Sequence, residues 1–571
     1  MEELFASIQR MTLERLMSGP TEEFKKLKTG AEMIKYCREE ILKARLIDKN
    51  EVAAGKNEKL AIEARSLANN LFMKEKDFVQ ALELYNKSLC LSPVGSENIG
   101  ICYANRSAVF FESGFYQFCL DNIELALENN YPEQMKPKLE ARRLKCLEFL
   151  KKSKKESAET ESAIELSFPA SKLNPFIIDG IELKTSEEFG RHICAKRDLF
   201  PGHVIMIDKP YFQSLEVGAE NKFCNNCHNQ NLLNLVPCEF CINAMYCGSA
   251  CKEEAWKRFH KFECKLSRNK DRLSTRALLK TFTLFDDLDK LRNLLQLCSE
   301  NPVTAFYLKQ DDEIETFKAI YCLETNRSQR TVKFKYEYAM TVAHTWHSLI
   351  TQSPIKSLLK TTKDEDFFLD TWFHFGLIRC TNSHELMIKT SDRQNFMLSD
   401  GSLQKFGSAI CPVISLLNHS CASNVTRIFG KGKFAIMVLR NIKAGEQIFN
   451  NYGAHHATDT KVERQEKLLD LYAFTCKCVA CVQNYPTIND MPMKNSPEFI
   501  SLFMDFAHSN NPKQKRKLLN QNKQKIATFL KKHDHQYPNF EIMALQNKLT
   551  QLAQSLYEPL PLKMQLKPLT K

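Results

Sequence analysis

The chain contains no run of about twenty apolar residues, the length a helix needs to cross a bilayer, so a membrane-spanning segment is not expected. Its start, MEELFASIQRM, carries acidic residues early and lacks the long apolar core of a secretory signal peptide. Neither sign of charge dominates. A formal net charge of +12 over 571 residues is moderate, and scattered lysines on solvated faces account for it without a nucleic-acid partner. What the chain has in quantity is cysteine, 21 residues in all. A disulfide framework would want the missing signal, whereas metal clusters suit a reducing interior. The expected location is therefore cytoplasmic and nuclear. With 43% hydrophobic residues the chain can fill several cores, and several domains are expected.

The cysteines are not scattered. Cys224-x2-Cys227, Cys238-x2-Cys241, Cys247-x3-Cys251 and His260-x3-Cys264 supply eight ligands, the number that two tetrahedral zinc ions require. Short chelate spacings put each pair on one side of one metal, and consecutive or interleaved pairings satisfy the same count. No ligand is left over for substrate, so these metals should be structural, and with little apolar material the module should need them to fold. It lacks the basic recognition helix of a C2H2 arrangement, so direct DNA binding is not expected.

A second concentration runs from Val413 to Cys481. It opens with VISLLNHSC, an apolar run ending in Asn418-His419-Ser420-Cys421. The segment FAIMVLRNIKAGEQIFNNYG alternates as a strand does and breaks at Lys443–Glu446, a hairpin-like turn. YAFTCKCVAC then places Cys476, Cys478 and Cys481 one thiolate short of a tetrahedral zinc site, for which Cys421 is the natural fourth ligand.

Towards the amino terminus a helical-repeat pattern begins at Ala61. Asn69, Asn70, Phe72, Phe78, Ala81, Tyr85 and Pro93 sit where a tetratricopeptide unit puts its small, aromatic and terminating residues. A second unit runs through Ala104, Asn105, Ala108, Phe110, Gly114, Tyr116, Ala126 and Pro132, and Lys136–Leu150 reads as a third unit's first helix or a cap. Lys151–Ser162 lacks large apolar residues and is the candidate linker. Leu284, Leu288, Leu291 and Leu295 keep the spacing of one helical face, as do Leu545, Leu549, Leu552 and Leu556. Lys513, Lys515, Arg516 and Lys517 mark basic helix-like material.

Taken in order, these segments resemble the SET and MYND domain-containing methyltransferase family. The resemblance implies an α+β multidomain fold, with a SET β-fold interrupted by a MYND zinc finger and a helical insert. Amino-terminal tetratricopeptide helices and a carboxy-terminal helical segment flank it. The expected boundaries are 1–50 for a helical segment, 51–150 for the repeats and 151–170 for a linker. The first SET part takes 171–223, the finger 224–264, the insert 265–370 and the catalytic core 371–455. The post-SET segment takes 456–485 and the carboxy-terminal helices 486–571.

By the same resemblance, Cys224, Cys227, Cys247 and Cys251 hold one zinc and Cys238, Cys241, His260 and Cys264 another. Cys421 joins Cys476, Cys478 and Cys481 on a third. The turn at Gly190, Arg191 and His192, with Asn382, Asn418, His419, Tyr452 and Phe474, binds S-adenosylmethionine. Tyr452 and Tyr472 wall the lysine channel as the catalytic pair. His192 stands where the family often has a second glycine, and Ala422-Ser423 replaces its usual acidic residue and proline. The implied activity is S-adenosylmethionine-dependent protein-lysine N-methylation of histone or other proteins. The competing expectation is a non-catalytic adaptor. It would recruit a co-repressor, a deacetylase or a proline-containing peptide through the finger, and chaperone tails through the repeats.

Overall fold

In the computed structural model the described residues are 19–44, 55–153, 164–266, 271–285, 287–308, 312–389, 403–494, 496–504, 512–557, 562–566 and 568. The ends of the expected amino-terminal helical segment and half of the expected 151–170 linker lie outside them. The basic side chains of Lys513, Lys515 and Arg516 do so too.

The first long helix, α1 (Gly30–Lys43), starts at a capping box between Thr29 and Glu32, worth about 1 kcal/mol. It does not belong with the repeat-like helices that follow in sequence. Its buried face of Met33, Ile34, Cys37 and Ile41 packs on two helices of the insert more than three hundred residues later. The Ala31 amide donates to Asp370, and Lys35 pairs with Asp366.

Then come α2 (Glu58–Asn70), α3 (Phe78–Leu91), α4 (Glu97–Glu112), α5 (Tyr116–Glu128) and the long α6 (Lys136–Ser153). Ala61, Ala64 and Ala68 are buried on α2, so small side chains let it lie close to Phe78, Leu82 and Tyr85 of α3. Gly100 does the same for α4, since a Cβ there would stand 2.4 Å from the carbonyl oxygen of Asn129.

The β structure is split into small sheets. β1 (Ile181–Ser186) and β2 (Gly190–Ala195) form an antiparallel pair. β3 (Val204–Asp208) and β4 (Phe212–Leu215) lead to the cysteine-rich module, whose β5 (Val236–Pro237) and β6 (Met245–Tyr246) pair with each other. Five helices follow: α7 (Arg272–Leu284), α8 (Leu288–Glu300), α9 (Glu313–Tyr321), α10 (Val332–Gln352) and α11 (Thr362–Asn382). The leucine stripe expected on one helix is thus divided. Leu284 ends α7 and Leu288 begins α8, because Asp287 caps the second helix by accepting from the Asp289 amide. Only Leu291 and Leu295 of the four are buried.

β7 (Ser383–Lys389) and β8 (Leu403–Ile410) join β4 in the order β4-β8-β7. β9 (Asn418–His419) runs parallel to β12 (Phe449–Asn450), while β10 (Val425–Gly430) and β11 (Lys433–Val438) extend β3. The turn at Lys443–Glu446 closes as expected, with Gly445 at φ +90° and the Glu446 amide on Lys443 O. It is not a hairpin, however. Its flanks bond to the 193–199 stretch, with Ile448 N on Ile193 O and Ile442 N on Leu199 O. Period-two alternation cannot tell a local partner from a distant one.

Ile193, Leu199, Ile205, Met206, Val413, Leu417, Ile436 and Ile448 form the core of this β region. After α12 (Lys461–Tyr472), the pair α13 (Pro512–His533) and α14 (Phe540–Tyr557) covers its outer face. There Leu545, Leu549, Leu552 and Leu556 pack with Ile428 and Met437. No helix among the described residues is long and apolar enough to cross a membrane.

Candidate active site

The apolar run before β9 is pinned from below. Asp208, at the end of β3, accepts the amides of Val413 and Ile414 at 2.6 and 2.9 Å. Burial pushes its carboxyl up to about 7 despite those bonds. The run therefore delivers Asn418 and His419 at a fixed height. Asn418 Nδ2 donates to the carbonyls of Phe189 and Arg191, at 3.0 and 3.2 Å, on either side of Gly190. Gly190 takes φ +57°, a conformation glycine adopts without a Cβ penalty. Asn418 thus ties β9 to the turn through its Nδ2. His192 is buried and folds back, with Nδ1 2.9 Å from Gly190 O and its ring against Phe189.

Tyr452 sits at a sharp bend made by its neighbours. Asn451 Oδ1 accepts the Gly453 amide, while its Nδ2 donates to Ser420 O and Ala454 O. The Tyr452 amide donates to His419 Nδ1 at 3.1 Å, which leaves the proton on Nε2, 3.3 Å from Cys421 Sγ. Burial draws His419 down to about 4, so the imidazole is neutral. The Tyr452 hydroxyl donates to Leu417 O at 2.7 Å. The Tyr472 ring lies 4.9 Å from that of Tyr452, and its hydroxyl donates to Tyr452 O at 3.0 Å. Each phenol oxygen spends its proton on a backbone carbonyl and keeps lone pairs for an incoming N–H. Burial pushes both phenols up, and the Arg191 and Arg427 charges partly offset this for Tyr452.

The insert holds the second phenol in place. Arg330 donates to Leu471 O and to Thr381 Oγ1, and Asn326 donates to Tyr472 O at 2.7 Å. The next residue, Ala473, ends α12 in the left-handed region and turns Phe474 to within 6.1 Å of the His419 ring. Asn382 bonds to other backbone groups. Its Nδ2 is spent on Glu324 O and Ile378 O, so it pins the end of α11 to the insert loop. Arg330, Asn326, Asn451 and Asn424, which brackets the site through Gln447 O and the Phe449 amide, were not singled out from sequence. Their side chains recognise backbone far away in the chain, and no local pattern marks that.

Three groups of soft donors surround the site and the finger, each with its ligand atoms within 4.8 Å of one another. They are Cys224, Cys227, Cys247 and Cys251; Cys238, Cys241, His260 and Cys264; and Cys421, Cys476, Cys478 and Cys481. In the finger the pairs are interleaved rather than consecutive. A Zn–S bond of about 2.3 Å implies tetrahedral S–S edges of roughly 3.8 Å. Cys421 Sγ lies 3.6 Å from Cys481 Sγ and 4.0 Å from Cys476 Sγ, and Cys227 lies 3.7 Å from Cys247. The donor sets and spacings fit zinc. A separate cavity of about 390 Å³, lined by Tyr211, Arg258, Lys280 and Phe317, reaches Asp208 but holds neither the phenols nor the three donor groups.

The SET domain family profile matches residues 190–453. The chain is 26% identical over 489 residues to Protein-lysine N-methyltransferase SMYD4 of Danio rerio, covering 72% of this chain and 64% of that protein. The mouse protein of the same name is 26% identical over 525 residues, with 72% and 66% covered. Histone-lysine N-methyltransferase ASHR1 of Arabidopsis thaliana is 26% identical over 292 residues, with 51% and 53% covered. The chain thus spans just under two thirds of the length of the zebrafish and mouse relatives it matches. The three cysteine groups, the β9 shelf and the phenol pair lie in and around the segment that the SET profile matches, and the chain is similar to these lysine methyltransferases, two of them proteins of the SET and MYND domain-containing family.

Proposed function

We propose that the chain is a protein-lysine N-methyltransferase that uses S-adenosylmethionine and acts on histone or other protein substrates. The observation that carries this is the pair of phenols, 4.9 Å apart, set beside the Gly190–Asn418 turn and tied to a cysteine clamp. S-adenosylmethionine would supply the methyl group, with the Gly190–Arg191 backbone, Asn418 and Phe474 as its candidate holders.

The remaining work falls to this chain's residues. A free lysine titrates at about 10.4 and must reach the reaction neutral. Walls formed by two half-buried phenols disfavour its charged form, and the Tyr452 and Tyr472 oxygens, with protons already committed, accept the amine N–H groups and aim its lone pair. Zinc in the Cys421 group would lock β9 to the segment after α12, so that shelf and channel keep one geometry.

Two zinc ions in the finger and one after the core are proposed, and reduced thiols at all three groups favour the cytoplasm and nucleus. We read α2–α6 as two tetratricopeptide units and a cap. A recruiting role through the finger is supported by Phe240 and Trp256, exposed and with rings 5.2 Å apart. The test is calorimetric titration of S-adenosylmethionine into wild type and Asn418→Ala, with radiolabelled methyl transfer onto a cell lysate. Binding by wild type alone and label on lysine support the enzyme. A wild type that binds no cofactor favours the adaptor.

A further inference from the structure

The cavity that reaches Asp208 is built by three parts of the chain. The link from β3 into β4 gives Tyr211 and Phe212, the finger gives Glu254 and Arg258, and the insert gives Lys280 and Phe317. Its volume of about 390 Å³ is that of a small-molecule pocket. Phe212 and Phe317 are buried, and the Tyr211 ring stands edge-on to that of Phe212, with centroids 4.7 Å apart. The Tyr211 hydroxyl donates to Glu313 O at 3.2 Å, which ties the link to α9 and fixes the aromatic wall.

The charges around the end of α7 pair off and leave one over. Arg258 binds Glu254 at 3.0 Å and Arg276 binds Glu263 at 3.1 Å, two matched pairs. Lys280 is the fifth charge of the group. The two glutamates attract its ammonium and the two arginines repel it, so the four formal charges around it sum to zero. Among the described residues its Nζ makes neither a hydrogen bond nor an ion pair, and its contact is the Phe259 ring, 5.3 Å to the centroid. Burial, and after it the Arg276 charge, draws this ammonium down to about 8.

The remaining charges of the lining do not match it. Asp208 spends its carboxylate on the amides of Lys209, Val413 and Ile414. Lys209, Asp312 and Glu313 are exposed, and Asp312 already caps α9 by accepting the Glu315 amide. Water screens such charges, so the half-buried Lys280 sets the sign that the interior prefers. One cation in excess beside an aromatic wall suits a flat apolar body with a single negative charge. A phosphate would bring about two negative charges against it.

We propose that this cavity is a small-molecule site, separate from the phenols, that takes an aromatic carboxylate. Its anion pairs with Lys280, and its rings lie against Tyr211, Phe212 and Phe317. Occupancy can be measured without any methyl transfer, so this site and the methyltransferase reading stand or fall separately.

The experiment uses the full zinc-loaded chain and two probes of one shape, 2-naphthoate and the uncharged 2-naphthamide. Calorimetry should show wild type binding the naphthoate about 10-fold more tightly than the amide, as one charge-assisted hydrogen bond provides. Lys280→Met should level the two affinities, and Lys280→Arg should keep the preference for the carboxylate. In wild type, saturating naphthoate should slow acetylation of Lys280 by an activated ester, read by mass spectrometry. Exposed Lys363 on α11 should label at an unchanged rate. The labelling needs no variant, so it decides the matter if Lys280→Met fails to fold. Equal affinity of wild type for the two probes overturns the proposal, as does no binding of either at millimolar concentration. An unchanged preference in Lys280→Met overturns it too, and so does Lys280 labelling that naphthoate leaves alone.

Discussion

The Tyr472 hydroxyl donates to the backbone carbonyl of Tyr452, the residue whose own hydroxyl donates to Leu417 O. The two phenols therefore form a sequence of fixed donors, each orienting the next, and neither can rotate to give its proton to a substrate. Removing the Tyr452 oxygen should remove the amine acceptor while leaving the ring in place. Tyr452→Phe is expected to lower the single-turnover rate of methyl transfer by about 10²-fold or more. Cofactor affinity, measured by calorimetry, should stay within a few-fold.

The cysteine group at Cys421 makes a separate prediction. Its neighbour His419 links Cys421 Sγ to the Tyr452 amide, so disturbing the cluster reaches the phenol through one ring. Cys478→Ser should lower bound zinc by one ion, counted by native mass spectrometry. It should also abolish cofactor binding while the finger keeps its metal. Retained cofactor affinity in a chain short of that zinc would count against the clamp.

The repeat-like helices are fixed to the finger by a buried guanidinium. Arg106 donates to Leu235 O at 2.6 Å, to Asn234 Oδ1 at 2.5 Å and to Asn86 Oδ1 at 3.0 Å. The loop it grips holds Asn231, Leu232 and Leu233 at positive φ, a conformation non-glycine residues avoid. Arg106→Leu should cost about 3 kcal/mol by taking their donor from Leu235 O and Asn86 Oδ1, while Asn234 Oδ1 keeps Asn122 Nδ2. Limited proteolysis should then cut between Cys227 and Cys238 in the variant and not in wild type.

Acid should destabilise the insert through His374. Burial draws this histidine from 6.5 down to about 4, and its Nε2 donates to Tyr321 O. The folded state binds fewer protons than the unfolded one between those values. Its contribution is therefore complete above pH 6.5 and shrinks as the pH falls toward 4. Stability from urea titrations should decline by about 1.4 kcal/mol per pH unit from this group in that window. His374→Gln should flatten the slope by that amount.

Much of the chemistry could be read along the chain because it is carried by short spacings. Cys476, Cys478 and Cys481 are close in sequence since one metal-sized hole must be reached by one stretch of backbone, and the pairs of the finger obey the same geometry. The fold was less legible where partners are distant. Nothing local in Gly30–Lys43 says that it packs on α10 and α11, and nothing local in Asn382 announces its bonds to Glu324 O and Ile378 O. The leucine stripe misled because periodicity survives the break at Asp287, where a cap restarts the helix in nearly the same phase. The Lys443–Glu446 turn was visible, but its pairing with 193–199 is a property of the closed β core.

The parallel contact of β9 with β12 carries a consequence for biogenesis. Asn418 and Phe449 become neighbours only after the polypeptide has looped out through β10 and β11 and returned. The thiols that secure them come later still, at Cys476 to Cys481. A nascent chain on the ribosome would have its finger and insert available for metal and for packing well before the shelf closes. Any truncation ahead of Cys481 would lose both the clamp and the helices α13 and α14 that cover the outer face of the β region.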